Sequence, residues 1–402
     1  LTVLMEGLAK FPPRPTGAGA MFQLLRDGRP RTRAALVAAT GQARSTVAAR
    51  IDALREIGLL APAGEASSTG GRPPSTFAFD PTSRIVLGVD LGATHARIAV
   101  TDLAGEPIGH LQEPLAIADG PTRVLDWVAE AGAKVIARAG RRADELVGIG
   151  IGLPGPVDHT TGRPVNPPIM PGWDGTDVPG ELYARLRAPV LVDNDVNIMA
   201  LGEHRTMCPT VSDLLFVKVA TGIGAGVIMD GELRRGAQGA AGDLGHVTVP
   251  RAADIPCRCG NTGCLEAVAG GAAIASRLRD QGAAVSSTAD IVDLVRAGDL
   301  AAGQAVRQAG RDIGTVLAAS VSLLNPARII VGGVLSEAGE HLMAGIREIV
   351  YQRSLPLATQ HLRIATTGAG AEAGVVGAAH LVTEQYLSAA SIDTLITAKE
   401  DS

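Results

Sequence analysis

The stretch Cys257-Arg-Cys-Gly-Asn-Thr-Gly-Cys264 holds three of the chain's four cysteines within eight positions. Thiolates at that spacing can ligate a metal, pair oxidatively, or stand together by chance. Cys257 and Cys259 are too close in sequence to make good disulfide partners. Gly260 and Gly263 allow the backbone to curl and bring Cys257, Cys259 and Cys264 together. Three sulfurs need a fourth donor for tetrahedral zinc. His246, eleven positions upstream, is the preferred candidate, and Cys208, far upstream, is the other. Four protein ligands leave no open position, so the expected role is structural. Such a knot would tie the Asp243–His246 loop to the segment carrying Glu266.

Two stretches share the pattern β run, glycine turn, β run. In residues 85–102, IVLGVDLGATHARIAVTD, Asp90 would end a buried strand, and Gly92 and Thr94 form a turn able to receive a phosphate. In residues 214–236, Thr221, Gly222, Gly224 and Gly226 repeat the pattern about 130 residues later, as a duplicated fold would. Between them the strand PVLV runs into Asp193, Asn194, Asp195 and Asn197. Polar groups where a strand meets a helix suit an open α/β binding crevice, and a carboxylate there could take a hydroxyl proton in phosphoryl transfer. An Asp/Asn-rich helix cap is the plain alternative. Trp173, in a Pro-rich loop, could stack on a sugar or simply pack.

Elements that must position these residues follow from pattern and length. At 402 residues the chain is too long for one small domain. Hydrophobic residues make up 46% while aromatics make up 2%, so Ala, Val, Ile and Leu must fill the core. Only 4 of the 36 basic residues are lysines, which marks a compositional bias and weakens arguments from any single arginine. Residues 1–80 carry 10 Lys/Arg against 6 Asp/Glu, whereas the remainder carries 26 against 35. A basic head on an acidic body directs any anionic polymer to the head. No apolar run is long enough to span a bilayer, no signal peptide is evident, and a cytoplasmic location is expected.

In the head, residues 18–28, 32–41 and 42–60 read as three helices. The last has apolar Val47, Ile51, Leu54 and Ile57, with Arg44, Ser45, Thr46 and Arg50 on or near the other side. The second and third form a helix-turn-helix whose second member would enter a major groove. The Gly/Ser/Pro stretch after Leu60 suggests a wing, with Arg72 near its tip suited to a minor groove. A three-helix packing domain with a solvated basic face is the alternative. Near the C-terminus, residues 301–325 and 370–390 read as Ala-rich helices for lobe packing or a dimer contact.

Together the motifs GAAGDLGH with CRCGNTGCLE, DNDVN, PGPVD and the two glycine loops resemble the ROK family of repressors, open reading frames and kinases, over nearly the whole chain. The winged head resembles the repressor branch. The resemblance implies an actin-like, ribonuclease-H-like α/β fold of two lobes (84–200 and 201–390) behind an all-α winged helix-turn-helix domain (1–80). It implies a sugar site from Asn166, Asn194, Asp195, Asp243, His246 and Glu266, with Asp195 as catalytic base if the chain is a kinase. ATP-phosphate positions would be Asp90, Gly92, Thr94, Thr221, Gly222 and Gly224, with Gly332 and Gly333 on the nucleoside side. Zinc is the implied structural metal, on His246, Cys257, Cys259 and Cys264; ATP and Mg²⁺ belong only to a kinase. Two residues depart from the pattern. Ala93 follows Gly92 where a second glycine is usual, and its methyl crowds a phosphate. Asp243 stands where Glu is usual and reaches one methylene less far. The expected function is a sugar-responsive regulator, probing operator DNA as a homodimer or homotetramer and binding a sugar or sugar phosphate. The alternatives are an ATP-dependent hexose kinase, a bifunctional protein, or a zinc-stabilised scaffold without ligand.

Overall fold

The computed structural model describes residues 17–65 and 74–400. It divides into two compact units. One contains the described head residues up to Ile85, with 102–104 and 382–400; the other contains 86–101 and 105–381.

In the first unit, α1 (Ala18–Gln23) leads to the short β1 (Arg31–Thr32), α2 (Arg33–Thr40) and α3 (Arg44–Glu56). The Thr32 hydroxyl accepts from the Ala35 N–H to start α2, and Gly41, at φ 68°, ends it in the left-handed conformation. Val47, Ile51 and Leu54 of α3 are fully buried, as their spacing predicts. β2 (Leu60–Glu65) and β3 (Ser75–Phe79) complete a three-stranded sheet of order β1-β3-β2. The head is therefore not all-α; helix-turn-helix and sheet share one core, in which the Phe22 and Phe79 rings meet edge to face at 5.2 Å. Arg72 lies outside the described residues.

The second unit contains two five-stranded sheets. The first comprises β4 (Ile85–Leu91), β5 (His95–Thr101), β6 (Pro107–Pro114), β7 (Leu146–Leu153) and, after the small ribbon β8 (Val157–Asp158) and β9 (Arg163–Pro164), β10 (Val190–Asn194). Its order is β10-β7-β4-β5-β6. The second comprises β11 (Leu214–Val219), β12 (Ile223–Met229), β13 (Glu232–Arg234), β14 (Arg328–Gly332) and β15 (Arg363–Thr366), ordered β13-β12-β11-β14-β15. Numbered within each sheet, the orders are the same, so the duplication suggested by the glycine turns is a duplication of whole sheets. β4 is buried at every position, as befits a central strand covered on both faces.

Helices α4 (Pro121–Arg138), α5 (Val178–Leu186) and α6 (Asp195–Met207) belong to the first half. α7 (Glu266–Ala269), α8 (Gly271–Asp280), α9 (Thr288–Arg296), α10 (Leu300–Leu324), α11 (Glu340–Arg353) and α12 (Pro356–Thr359) surround the second sheet. The chain then returns to the first sheet through α13 (Ala373–Tyr386), so the first lobe draws on residues well beyond 200. Four glycines make this return possible. A β-carbon on Gly88 or Gly150 would lie 2.1 Å from the Val375 carbonyl oxygen or 1.8 Å from that of Ala378. On Gly202 of α6 it would lie 1.9 Å from the Ala373 oxygen, and on Gly377 1.7 Å from the Ile198 oxygen. Backbone touches backbone along this seam, which only glycine permits.

α14 (Ala389–Glu400) belongs to the first unit, where it packs on α1. The Gly19 N–H donates to Asp393 Oδ1 at 2.8 Å, Gln23 Nε2 donates to the Leu387 carbonyl at 2.8 Å, and Arg26 pairs with Glu384. From Val382 on, the C-terminal region thus completes the head, while the preceding part of α13 packs on the first sheet, the lobe packing expected of the Ala-rich stretch 370–390.

Candidate functional site

A cleft of about 2230 Å³ opens between the two sheets of the second unit. Its floor is made where strands end. β10 ends in Asn194, whose Oδ1 accepts from the Val196 N–H at 2.9 Å and so caps α6. Asn194 Nδ2 donates to the Gly155 carbonyl at 3.0 Å. Asp195 opens α6 and is buried, yet its carboxyl group lines the cleft. Just behind it, buried Asp193 pairs with Arg235 Nε at 2.6 Å and accepts from Asn197 Nδ2 at 2.7 Å. The DNDVN stretch is therefore both a helix cap and a cleft wall.

Opposite stands Glu266, at the start of α7. Its Oε2 accepts from the Ile223 N–H at 3.0 Å, which leaves Oε1 for a ligand. Gly222 stands close to it: a β-carbon there would come 2.3 Å from that carboxylate, which would have to shift. Asp243 is exposed at the rim. Asn166 also lines the cleft, held at φ 43° with its N–H donating to Asp174 Oδ1 at 2.8 Å.

Among the expected phosphate positions, Asp90, Thr94, Thr221, Gly222, Gly224 and Gly333 line the cleft. Two others do not. Gly92 faces the His95 ring, 2.1 Å from an added β-carbon, and Gly332 faces the Phe216 ring at 2.5 Å. Both are close-packing glycines. Trp173 is fully buried, its indole N–H donating to the Ile117 carbonyl at 3.0 Å, so it packs and does not stack on a ligand.

The sulfur cluster adjoins the same cleft. One donor atom each from His246, Cys257, Cys259 and Cys264 lies within 4.8 Å of every other. Cys257 Sγ is 3.7 Å from His246 Nδ1, and Cys259 Sγ is 3.7 Å from Cys264 Sγ. A tetrahedral ion with zinc–sulfur bonds of about 2.3 Å would set sulfurs about 3.8 Å apart. Bonded sulfurs would be near 2 Å, and all four cysteines are free. Gly260 and Gly263, at φ 91° and 83°, turn the chain as the spacing anticipated. The residues fit zinc, and His246 completes the donor set in preference to Cys208, which is buried beside Arg328. The Asn261 N–H helps hold the Cys259 thiol down at about 7, whereas burial and the neighbouring sulfurs push Cys264 up to about 12. Crowded thiols in conflict over protons are what a divalent cation relieves.

Four functional groups escaped the sequence reading. Lys218 of β11 reaches into the cleft with Nζ 2.5 Å from Asp195 Oδ2. Arg97 Nη1 lies 3.5 Å from Asp90 Oδ2 and 3.0 Å from His95 Nε2. Burial would drive the Lys218 ammonium to lose its proton, but the charges of Asp195 and Asp90 and the hydrogen bond outweigh this and hold it above the usual lysine range. Burial likewise would raise Asp90; the His95 hydrogen bond and the Lys218, His95 and Arg97 charges bring it below the usual carboxylate range. Glu203, buried on α6, accepts from Thr367 Oγ1 at 2.6 Å, Gly368 N–H at 2.9 Å and Ala369 N–H at 3.0 Å, fixing the loop beside the cleft. The one available signal for Lys218 was rarity, since it is one of four lysines.

In the head, Arg44, Ser45 and Thr46 are exposed at the first turn of α3, and Arg50 is half-buried with its guanidinium on Gln42. No helix among the described residues is long and apolar enough to cross a membrane.

Comparison with known proteins gives three findings. The model of the ROK family matches residues 86–385. A glucokinase of Halalkalibacterium halodurans is 32% identical over 76% of this chain and 96% of its own, and a xylose repressor of Caldicellulosiruptor bescii is 29% identical over 86% and 90%. The crystal structure of a ROK family transcriptional regulator, a homologue of the E. coli MLC protein, superposes with a TM-score of 0.79 at 26% identity, covering 94% of this chain and 98% of that one.

Proposed function

The chain belongs to the ROK family, with its two-lobed actin-like fold behind an N-terminal head, and from that premise we propose that it is a sugar-responsive transcriptional regulator. The observation that carries this reading is the regulator likeness over 94% of the chain, which extends beyond the 86–385 body into the head. The head supports it chemically, because Arg44, Ser45 and Thr46 stand exposed at the start of the second helix of a helix-turn-helix. Arg44 supplies charge for phosphates, and the hydroxyls supply adaptable base-edge contacts.

In this reading the cleft holds a sugar among Asn194, Asp195, Glu266, His246, Asn166 and Asp243. Carboxylates and amides of this kind accept and donate to ring hydroxyls. Zinc, when bound by His246 and the three cysteines, cross-links the loop bearing Asp243 to the helix bearing Glu266. Asp243 and Glu266 then converge on one ligand. The protein works as a homo-oligomer that offers two recognition helices to paired operator half-sites. The sugar favours one spacing of those helices over another.

The test begins with selection of an operator from random DNA, followed by titration of free sugars and sugar phosphates against the complex. At least one sugar is expected to shift operator affinity by tenfold or more. If none in a broad panel does, the switch is refuted.

One observation favours a second reading, as a hexose kinase. Asp195 sits at the strand–helix junction facing the cleft, and the glucokinase relative is 32% identical. ATP turnover that depends on a hexose and disappears in Asp195→Ala would establish it.

A further inference from the structure

Phosphoryl transfer from a nucleotide ordinarily needs a hydrated divalent cation, held by one or two carboxylates together with the phosphates. Asp90 and Asp195 are the two buried carboxylates available for this in the cleft. Both are already matched with side-chain cations. Lys218 contacts Asp195 at 2.5 Å and is also close enough to Asp90 to stabilise its charge. Arg97 approaches Asp90 at 3.5 Å, with the His95 ring 3.8 Å from the same oxygen. The groups facing this point are thus Asp90 from β4, His95 and Arg97 from β5, Asp195 from α6 and Lys218 from β11. Two carboxylates meet one ammonium and one guanidinium, and the nearby Asp193 is neutralised separately by Arg235. The residues present do not fit a magnesium ion, which would be forced against two fixed positive charges.

We propose that Lys218 is a tethered counter-ion that takes over the charge balance of a divalent cation, so that this cleft binds its ligand without metal. Asp195 Oδ2 is engaged by Nζ, so the ammonium already occupies the place at this carboxylate that a metal ion would take. The cleft keeps the shape of a transfer site and operates as a recognition site. The inference rests on the reading of this cleft as the ligand site, and it deepens the regulator assignment over the kinase.

Manganese(II), followed by the loss of its free-ion electron paramagnetic signal, is the probe. The full-length protein is used with its zinc restored. Four forms are compared: wild type, Asp90→Asn, Lys218→Met, and Lys218→Met with Asp90→Asn. Wild type is expected to bind no more Mn²⁺ than Asp90→Asn, a comparison in which any binding at the sulfur cluster, common to both, cancels. Lys218→Met is expected to gain a site at least tenfold tighter, lost again when Asp90→Asn is added. A Mn²⁺ site in wild type that Asp90→Asn abolishes overturns the proposal. So does a folded Lys218→Met protein that gains no site. If thermal melting shows Lys218→Met unfolded, the comparison of wild type with Asp90→Asn decides alone, its equality sustaining the proposal. Because the readout uses neither sugar nor DNA, failure of operator release by sugars would refute the regulator reading and leave the Mn²⁺ result standing.

Discussion

Two glycine-to-alanine substitutions inside helices should move stability in opposite directions. Both exchange the same atoms, and both gain about 0.5–1 kcal/mol from the lower backbone entropy of alanine. At Gly303 in α10, an added β-carbon meets only the exposed His341 ring, at 3.3 Å, and that side chain has room to turn aside. At Gly377 in α13, it lands 1.7 Å from the Ile198 carbonyl oxygen and 2.7 Å from the Gly202 nitrogen. A real β-carbon essentially never comes within 3.0 Å of such an atom, so α13 and α6 must part by more than about 1 Å, against a close-packed interior that resists such shifts. No rotamer can relieve a clash with backbone. Overpacking of this kind costs about 1–3 kcal/mol and sometimes more. After the propensity gain, Gly377→Ala should lose about 2 kcal/mol, while Gly303→Ala should gain about 0.5 kcal/mol. Urea unfolding followed by tryptophan fluorescence reads this directly, since Trp127 and Trp173 both lie in the body unit. If the two variants agree within about 0.5 kcal/mol, the close approach of α13 and α6 is not as described.

Other perturbations test other parts. Cys264→Ser should reduce zinc, measured by atomic emission on purified protein, from about one ion per chain to near zero, and strong chelators acting on the native protein should lower its melting temperature. Glu203→Ala leaves the Thr367 hydroxyl and two N–H groups without their acceptor. It should cost about 3–5 kcal/mol in urea unfolding, with Glu203→Gln intermediate. Arg44→Ala should weaken operator binding and lower the slope of log affinity against log salt by about one. A fluorescence-anisotropy series over salt concentration measures both effects.

Much of the site could be read from short-range pattern. Strand–glycine–strand stretches predicted β4 with β5 and β11 with β12, because the signal is local alternation and turn chemistry. The Cys spacing located a metal cluster because glycines between ligands dictate curvature, and the expected helix over 301–325 matches α10 to within a residue at each end. What failed depended on partners far along the chain. Lys218 sits on a strand whose neighbours say nothing of Asp195, 23 residues away across the cleft. Trp173 donates to Ile117, 56 residues earlier. Gly332 looked like a loop glycine for a nucleotide, and only the Phe216 ring beneath it reveals a packing role. In the head, β2 and β3 flanking the expected wing were legible, and only β1, two residues long, was obscured.

The pairing of α1 with α14 imposes an order on synthesis. A ribosome extrudes α1 hundreds of residues before the helix that covers it, and domains generally fold from the N-terminal end as they emerge. Here the earliest described helix must wait for one of the latest, with Gly19, Gln23 and Arg26 lacking their acceptors until Leu387, Glu384 and Asp393 have been made. On the regulator reading, a nascent chain that has not yet produced α14 therefore carries a head whose first helix is still uncovered.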